Sequence, residues 1–243
     1  MNTSYDTIGV NYSDLRKPDP RIEGMIGRAL GSAKTVLNVG AGAGSYEPAD
    51  RQVTAIEPSM EMIQQRPASA ASVIQGQAED LPFDDNSFDA SMAILTVHHW
   101  ADKEKGLKEM RRVTRGQIVV LTYDPSFRGF WLADYIPELV DLNEAQMPRM
   151  TDFGAWFGPV GISPVPIPHD CTDGFLSAYW RRPAAYLDPR IRAAMSSFWA
   201  VGDVSEALRR LESDLDSGAW AQRYSELLDL DECDCGYRLV ITK

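Results

Sequence analysis

Apolar positions recur along the chain at two spacings, and the switching between them lays out a fold. Ile22, Met25, Ile26, Ala29 and Leu30 fall three or four apart and mark one face of a helix. Asp19 is placed to cap that helix, Pro20 suits its first position, and Gly31 ends it. Short apolar runs follow at 35–39, 53–56, 72–75, 88–97 and 117–123, with helical spacing at 59–65 and 102–113 between some of them. Strands alternating with helices predict an α/β protein with a doubly wound, mainly parallel sheet. After residue 125 the pattern changes. Residues 126–135 and 151–157 read as helices, and 162–168 as a sixth strand whose prolines suit an edge. Residues 173–224 read as largely helical, with breaks at Pro183, Pro189 and Gly218, before 237–242 return as a seventh strand. A seven-stranded sheet is therefore predicted, with a helical insertion at 173–226 before the last strand. That insertion is longer than ordinary connections and is a candidate substrate lid. The length suits one domain, 1–243, with residues 1–31 as an N-terminal cap segment.

One crossover departs from the scheme. Only residues 45–52, Pro48 among them, separate Gly44 from the second strand, whereas parallel strands usually need a dozen or more residues to cross over. The first crossover helix is predicted to shrink to a turn, leaving that side of the neighbouring site thinly covered. The site is marked by residues 36–44, VLNVGAGAG, an apolar strand that runs into Gly40, Gly42 and Gly44, with Glu57 following about 17 positions after Gly40. Glycines without a Cβ let the loop bend sharply and bring amide N–H groups against a ligand. A carboxylate ending the second strand can accept both hydroxyl protons of a ribose. Ser45 stands where a dinucleotide fingerprint needs its last glycine, which turns the reading away from NAD.

Two further blocks follow in order, residues 76–89 (GQAEDLPFDDNSFD) and 94–100 (ILTVHHW). With the glycine loop they resemble the class I S-adenosylmethionine-dependent methyltransferases, in the type 11 subgroup that includes the ubiquinone and menaquinone C-methyltransferases. The resemblance covers roughly residues 5–125. It implies a Rossmann-like methyltransferase fold, S-adenosylmethionine as donor and S-adenosylhomocysteine as product. Gly40, Ala41, Gly42 and Gly44 would then bend around the cofactor and Glu57 would hold its ribose, with Pro58 and Met60 packing on the adenine. Gln77 stands where the family often has Asp facing the adenine amino group, with the Ala78 N–H toward a ring nitrogen and Glu79 beside them. Thr96 and its neighbours would contact cofactor through backbone. Asn38 replaces the family's usual Asp, which keeps an acceptor oxygen and loses the charge that would meet the methionine ammonium. The segment carrying Tyr5, Tyr12 and Arg16 would fold over the cofactor, and Arg16 could pair with its carboxylate; a surface arginine on a loose arm is the competing reading.

His98 and His99 are expected to end the fourth strand, where open parallel sheets place their ligand crevice. Side chains alternate along a strand, so at most one of them should face a substrate as a base. Tyr123, His169, Tyr179 and Trp180 are candidates for the acceptor pocket, against their reading as packing residues.

Charge narrows the function further. With 24 Lys and Arg against 35 Asp and Glu, the formal charge of −11 argues against a nucleic-acid partner. A polar start and the lack of any long apolar run predict a soluble, cytoplasmic protein without membrane attachment. Cys171, Cys233 and Cys235 are too few for a disulfide framework, and Cys233 with Cys235 lacks the further ligands a metal needs, so no metal is expected. The sequence therefore predicts methyl transfer from S-adenosylmethionine to a small-molecule acceptor by in-line displacement. A cofactor-binding protein without transfer activity and an NAD-dependent oxidoreductase are the alternatives.

Overall fold

The computed structural model describes residues 15–243, so Tyr5 and Tyr12 lie outside the described residues. Helix α1 (Pro20–Ala29) starts where the sequence places it. The Asp19 carboxylate caps it by accepting from the Arg21 N–H, and Ile22 and Ile26 bury the apolar face. Burial works to raise the Asp19 pKa, but bonds from Arg21 and the Thr172 N–H outweigh it and hold the group at about 2.

Seven strands form one sheet: β1 (Thr35–Val39), β2 (Gln52–Glu57), β3 (Ser72–Gln75), β4 (Ala90–Ile94), β5 (Ile118–Tyr123), β6 (Val160–Pro168) and β7 (Glu232–Thr242). Their spatial order is β3-β2-β1-β4-β5-β7-β6. The first five run parallel, and β7 is antiparallel to both of its neighbours. The Pro-rich β6 sits at the edge, as predicted, where missing N–H donors leave no gap in a ladder. Every residue of β5 is buried, as expected of a strand covered on both faces. One face packs under α3 (Lys103–Val113), with Leu107, Met110 and Val113 in its core; the other packs under α1 and the C-terminal half.

The first crossover is a turn, as predicted. Two expectations fail. Residues 126–135 hold only a short 3-10 turn, Trp131–Asp134, while α4 (Glu138–Gln146) follows Pro137 where no helix was expected; it buries only Leu139 and so carries little periodic signal. The fourth strand stops at Ile94, because Leu95 takes a left-handed φ of 53° and the chain turns into a 3-10 segment, Val97–His99. The helix α5 (Met150–Phe157) leads into β6. Between β6 and β7 lies the helical insertion, made of short turns and α6 (Pro189–Ala193), α7 (Ser196–Ala200), α8 (Ser205–Ser217) and α9 (Ala219–Arg223).

Candidate active site

A cleft of about 590 Å³ opens outside the carboxyl ends of β1, β2 and β4. Gly40, Ala41 and Gly42 line it, with Glu57 and Pro58 across the loop and Gln77, Ala78 and Glu79 on a third side. At Gly40 a Cβ would stand 2.1 Å from Oγ1 of Thr96, itself a lining residue, so only glycine lets the two loops approach. Gly42 has φ 52°. The loop amides are used differently from the sequence reading: Gly40 and Ala41 N–H both donate to the Ile56 carbonyl (2.9 and 3.0 Å), and Gly42 N–H donates to Oε2 of Glu57 (2.8 Å). The glycines thus offer close approach of backbone, and their donors hold the loop to β2. Gly44 turns away from the cleft, where an added Cβ would meet Ala70 and Arg66.

Glu57 is buried, and its Oε1 accepts from the Ser59 N–H at 2.9 Å. Each oxygen therefore has one backbone donor and keeps one acceptor direction for a ligand hydroxyl. Burial pushes its pKa above the ordinary carboxylate value, opposed by those two N–H bonds and the charge of Arg66. Ser59 also caps α2 (Met60–Gln64), which sets the helix phase. As a result Met60 points out to solvent, 47% exposed, and Met62 is the residue buried against the cleft. Met60, which the sequence reading placed against the adenine, does not line the cleft, and Met62 does.

Two side chains of the turn take up contacts where the crossover helix is missing. Tyr46, at φ 64°, is buried and donates its hydroxyl to Oδ2 of Asp173 at 2.9 Å. Glu47 accepts from Nη2 of Arg66 on both oxygens, at 2.7 and 2.9 Å, and from the Ala71 N–H at 2.9 Å. Its Oε1 also accepts from Nδ2 of Asn38 at 3.1 Å, so the buried, cleft-lining Asn38 is oriented by a carboxylate on the turn.

Residues 15–19, just before α1, are tied to residues 172–174. Arg16 pairs with Asp173 as an isolated antiparallel bridge, and its Nε donates to Oδ1 of Asp173 at 2.6 Å. Gly174 N–H donates to the Leu15 carbonyl at 2.9 Å, and the Thr172 N–H reaches Oδ2 of Asp19 at 3.1 Å. The backbone at Arg16 is thus held, which counts against the loose-arm reading at that residue.

Arg16 and Leu95 also line a second, smaller pocket of about 60 Å³ beneath the insertion. Its walls include Tyr123, Phe175, Tyr237 and Met195, and its floor includes Thr122, buried, whose Oγ1 has no hydrogen-bond partner. The histidine pair divides between the two spaces: His98 lines the smaller pocket and His99 the cleft, with ring centroids 3.8 Å apart. The two face different spaces because they lie on a 3-10 turn and not on the strand, so only His98 lines the smaller pocket. Burial, then the charges of His99, Lys103 and Arg16, holds the His98 pKa well below 6.5. His99 meets solvent across the open cleft, yet restricted hydration and the charges of Arg16 and Lys103 lower it to about 4.

Of the four acceptor-pocket candidates, only Tyr123 lines the pocket. His169 follows β6 and is tied to the Asp231 carbonyl through its backbone N–H and Nδ1. Trp180 is fully buried, with Nε1 donating to the Ile167 carbonyl at 2.9 Å. Tyr179 packs under the Arg182 guanidinium, 4.7 Å from its ring centroid. These three build the base of the insertion. The sequence reading missed Phe175, Met195 and Thr122; Thr122 alone carried a local signal, a hydroxyl directly after the apolar run IVVL in the same strand.

A mainly parallel sheet with a cleft outside its carboxyl ends is the arrangement in which open α/β proteins place small ligands. The family described as a methyltransferase domain matches residues 37–120. A solved structure from Anabaena variabilis, assigned as a methyltransferase of an antibiotic biosynthesis pathway, is 36% identical, with a TM-score of 0.87 over 94% of this chain and 99% of that one. A rice chloroplastic 2-methyl-6-phytyl-1,4-hydroquinone methyltransferase is 26% identical over 179 residues, 67% of this chain and 53% of its own length. A ubiquinone/menaquinone biosynthesis C-methyltransferase from a Geobacter species is 32% identical over 134 residues, 45% of this chain and 57% of its own. The chain spans about half the length of the curated relatives it matches. It belongs to the S-adenosylmethionine-dependent methyltransferases. Among the described residues there is no cluster suited to a metal and no helix long and apolar enough to cross a membrane.

Proposed function

We propose that this protein methylates a small hydroxylated aromatic acceptor, with the donor in the large cleft and the acceptor in the pocket beneath the insertion. The observation that carries the reading is the pairing of Glu57 with the Gly42 N–H at the mouth of that cleft. It leaves a buried carboxylate with one acceptor direction on each oxygen, which suits the two hydroxyls of a ribose. Bound there, S-adenosylmethionine supplies a methyl group on a sulfonium, transferred in line to a nucleophile with S-adenosylhomocysteine as product. The residues present fit it: the Gly40–Thr96 approach gives a cradle that a Cβ would fill, and the cleft volume falls in the usual range of roughly 300–1,000 Å³ for small-ligand sites.

Gln77 and Ala78 line the side where the adenine edge would lie, with Met62 and Pro58 supplying apolar cover. Arg16, at the border of both spaces, brings a guanidinium charge to where the donor's carboxylate would lie. Tyr123, Phe175 and Tyr237 offer ring faces and edges to a flat acceptor. No carboxylate lines that pocket among the described residues, which disfavours a cationic amine. Thr122 Oγ1 can bond a ring hydroxyl. His98, kept neutral by its surroundings, can accept the hydroxyl proton's hydrogen bond and orient the nucleophile. Alignment of reactants and exclusion of water can supply roughly 7–11 kcal/mol of barrier lowering. The relatives named for hydroquinone methylation and for ubiquinone/menaquinone biosynthesis support the same acceptor class.

A labelled-methyl transfer screen over phenols, hydroquinols and amines tests the reading. Label is expected in ring-hydroxylated acceptors. Binding of S-adenosylhomocysteine with no transfer to any acceptor would favour a binding protein without turnover.

A further inference from the structure

Asn38 is buried at the end of β1, lines the cleft and gives Nδ2 to Oε1 of Glu47. A carboxylate only accepts, so the amide must turn its NH₂ toward Glu47 and its carbonyl Oδ1 the other way. No described residue hydrogen-bonds that Oδ1. Glu47 cannot move to relieve the arrangement, because Arg66 holds both of its oxygens and also donates to the Gly42 carbonyl at 3.0 Å. The pair is almost wholly shielded from water, with side-chain exposures of 5% and 7%.

We infer that Glu47 is a positioning residue for donor binding: it locks the Asn38 amide so that Oδ1 faces the cleft as the acceptor for the donor's amino-acid ammonium. The inference rests on the donor reading above. A neutral amide at position 38 thereby acts with a fixed polarity, and a carboxylate on the crossover turn sets it. Aspartate at 38 would not be an improvement while Glu47 stands, since two carboxylates would then share the 3.1 Å contact.

Substituting Glu47→Gln supplies the missing test. A glutamine carries a donor, so it can offer its NH₂ to Asn38 and allow the amide to flip, which turns a donor toward the ammonium. Calorimetry would compare S-adenosylhomocysteine with 5′-methylthioadenosine, which has the same nucleoside and no amino-acid end. Glu47→Gln is expected to weaken S-adenosylhomocysteine about tenfold or more and to leave 5′-methylthioadenosine unchanged. Adding Asn38→Asp to that variant should restore the loss, because the new carboxylate accepts both from the ammonium and from the side-chain amide that the first change puts at position 47. Equal weakening of both ligands, or of neither, would show that Glu47 only braces the loop. If Glu47→Gln does not fold, Asn38→Asp alone decides: the inference expects weaker S-adenosylhomocysteine binding, and a gain would overturn it. Wild-type protein that binds neither ligand would overturn the donor reading itself, a result distinct from unselective loss in the variant.

Discussion

Glu57 joins three features that seldom coincide in a structural carboxylate: it is buried, it holds the Gly42 and Ser59 amides, and it keeps acceptor capacity toward an open cleft. Truncation to Glu57→Ala is expected to weaken S-adenosylhomocysteine binding by about 1.5–3 kcal/mol, the range for a hydrogen bond to a charged group. Unchanged affinity by calorimetry would remove the ribose assignment. The pH dependence has a definite sign. Ribose hydroxyls donate to the ionised form, and burial raises the Glu57 pKa above its ordinary 4.5. Affinity should therefore hold at neutral pH and fall as acid is added, beginning at higher pH than for an exposed glutamate. Thr122 tests the other pocket. Thr122→Val removes only the unpartnered Oγ1, so KM for a hydroxylated acceptor should rise several-fold while S-adenosylhomocysteine affinity stays level. A shift in both would place Thr122 in the packing of β5 and not in acceptor binding. Residue-level legibility was uneven for a physical reason. Glycines and an acid at a strand end advertise themselves, whereas Met60 and Met62 differ only in helix phase, which the Ser59 cap sets in three dimensions.

Among the elements, the missing crossover helix was legible because the stretch between Gly44 and β2 is shorter than a helical crossover usually needs. What replaced the helix was not legible, since Tyr46 and Glu47 find partners 127 and 19 positions away. The same holds for the arm, whose Arg16 meets Asp173 across 157 positions. Tyr46→Phe tests how much this substitute cover contributes. It would leave Oδ2 of the buried Asp173 without its hydroxyl donor and should cost about 1–3 kcal/mol of stability in denaturant unfolding. A change within about 0.5 kcal/mol would mean that the Arg16 contact suffices to hold the arm. The fourth strand shows the opposite case: its apolar run continues through Val97, so periodicity alone extends it, but the left-handed Leu95 ends it and puts both histidines on a turn.

Across the whole molecule, the sheet order, the edge strand and the insertion before β7 follow from patterning and loop-length rules, and the match over nearly the full length of the Anabaena variabilis structure agrees. The tertiary use of the insertion's aromatics does not follow from them, because spacing cannot say which ring faces a pocket and which faces the core. Trp180 makes the distinction measurable. It is 1% exposed and braces β6 through the Ile167 carbonyl, so Trp180→Ala should lose about 3–5 kcal/mol of stability. Acceptor KM, measured well below the melting temperature, should change little; a large KM effect with intact stability would return Trp180 to the acceptor site. The central claim is that a glycine loop tied to a buried glutamate holds an adenosyl donor facing the pocket beneath the insertion. A crystal structure with bound S-adenosylhomocysteine tests it most directly. The account predicts both ribose hydroxyls on the Glu57 carboxylate, with the sulfur turned toward Leu95 and Arg16 at the border of the two spaces; a nucleoside bound elsewhere, with Glu57 bonded only to Gly42 and Ser59, would contradict it.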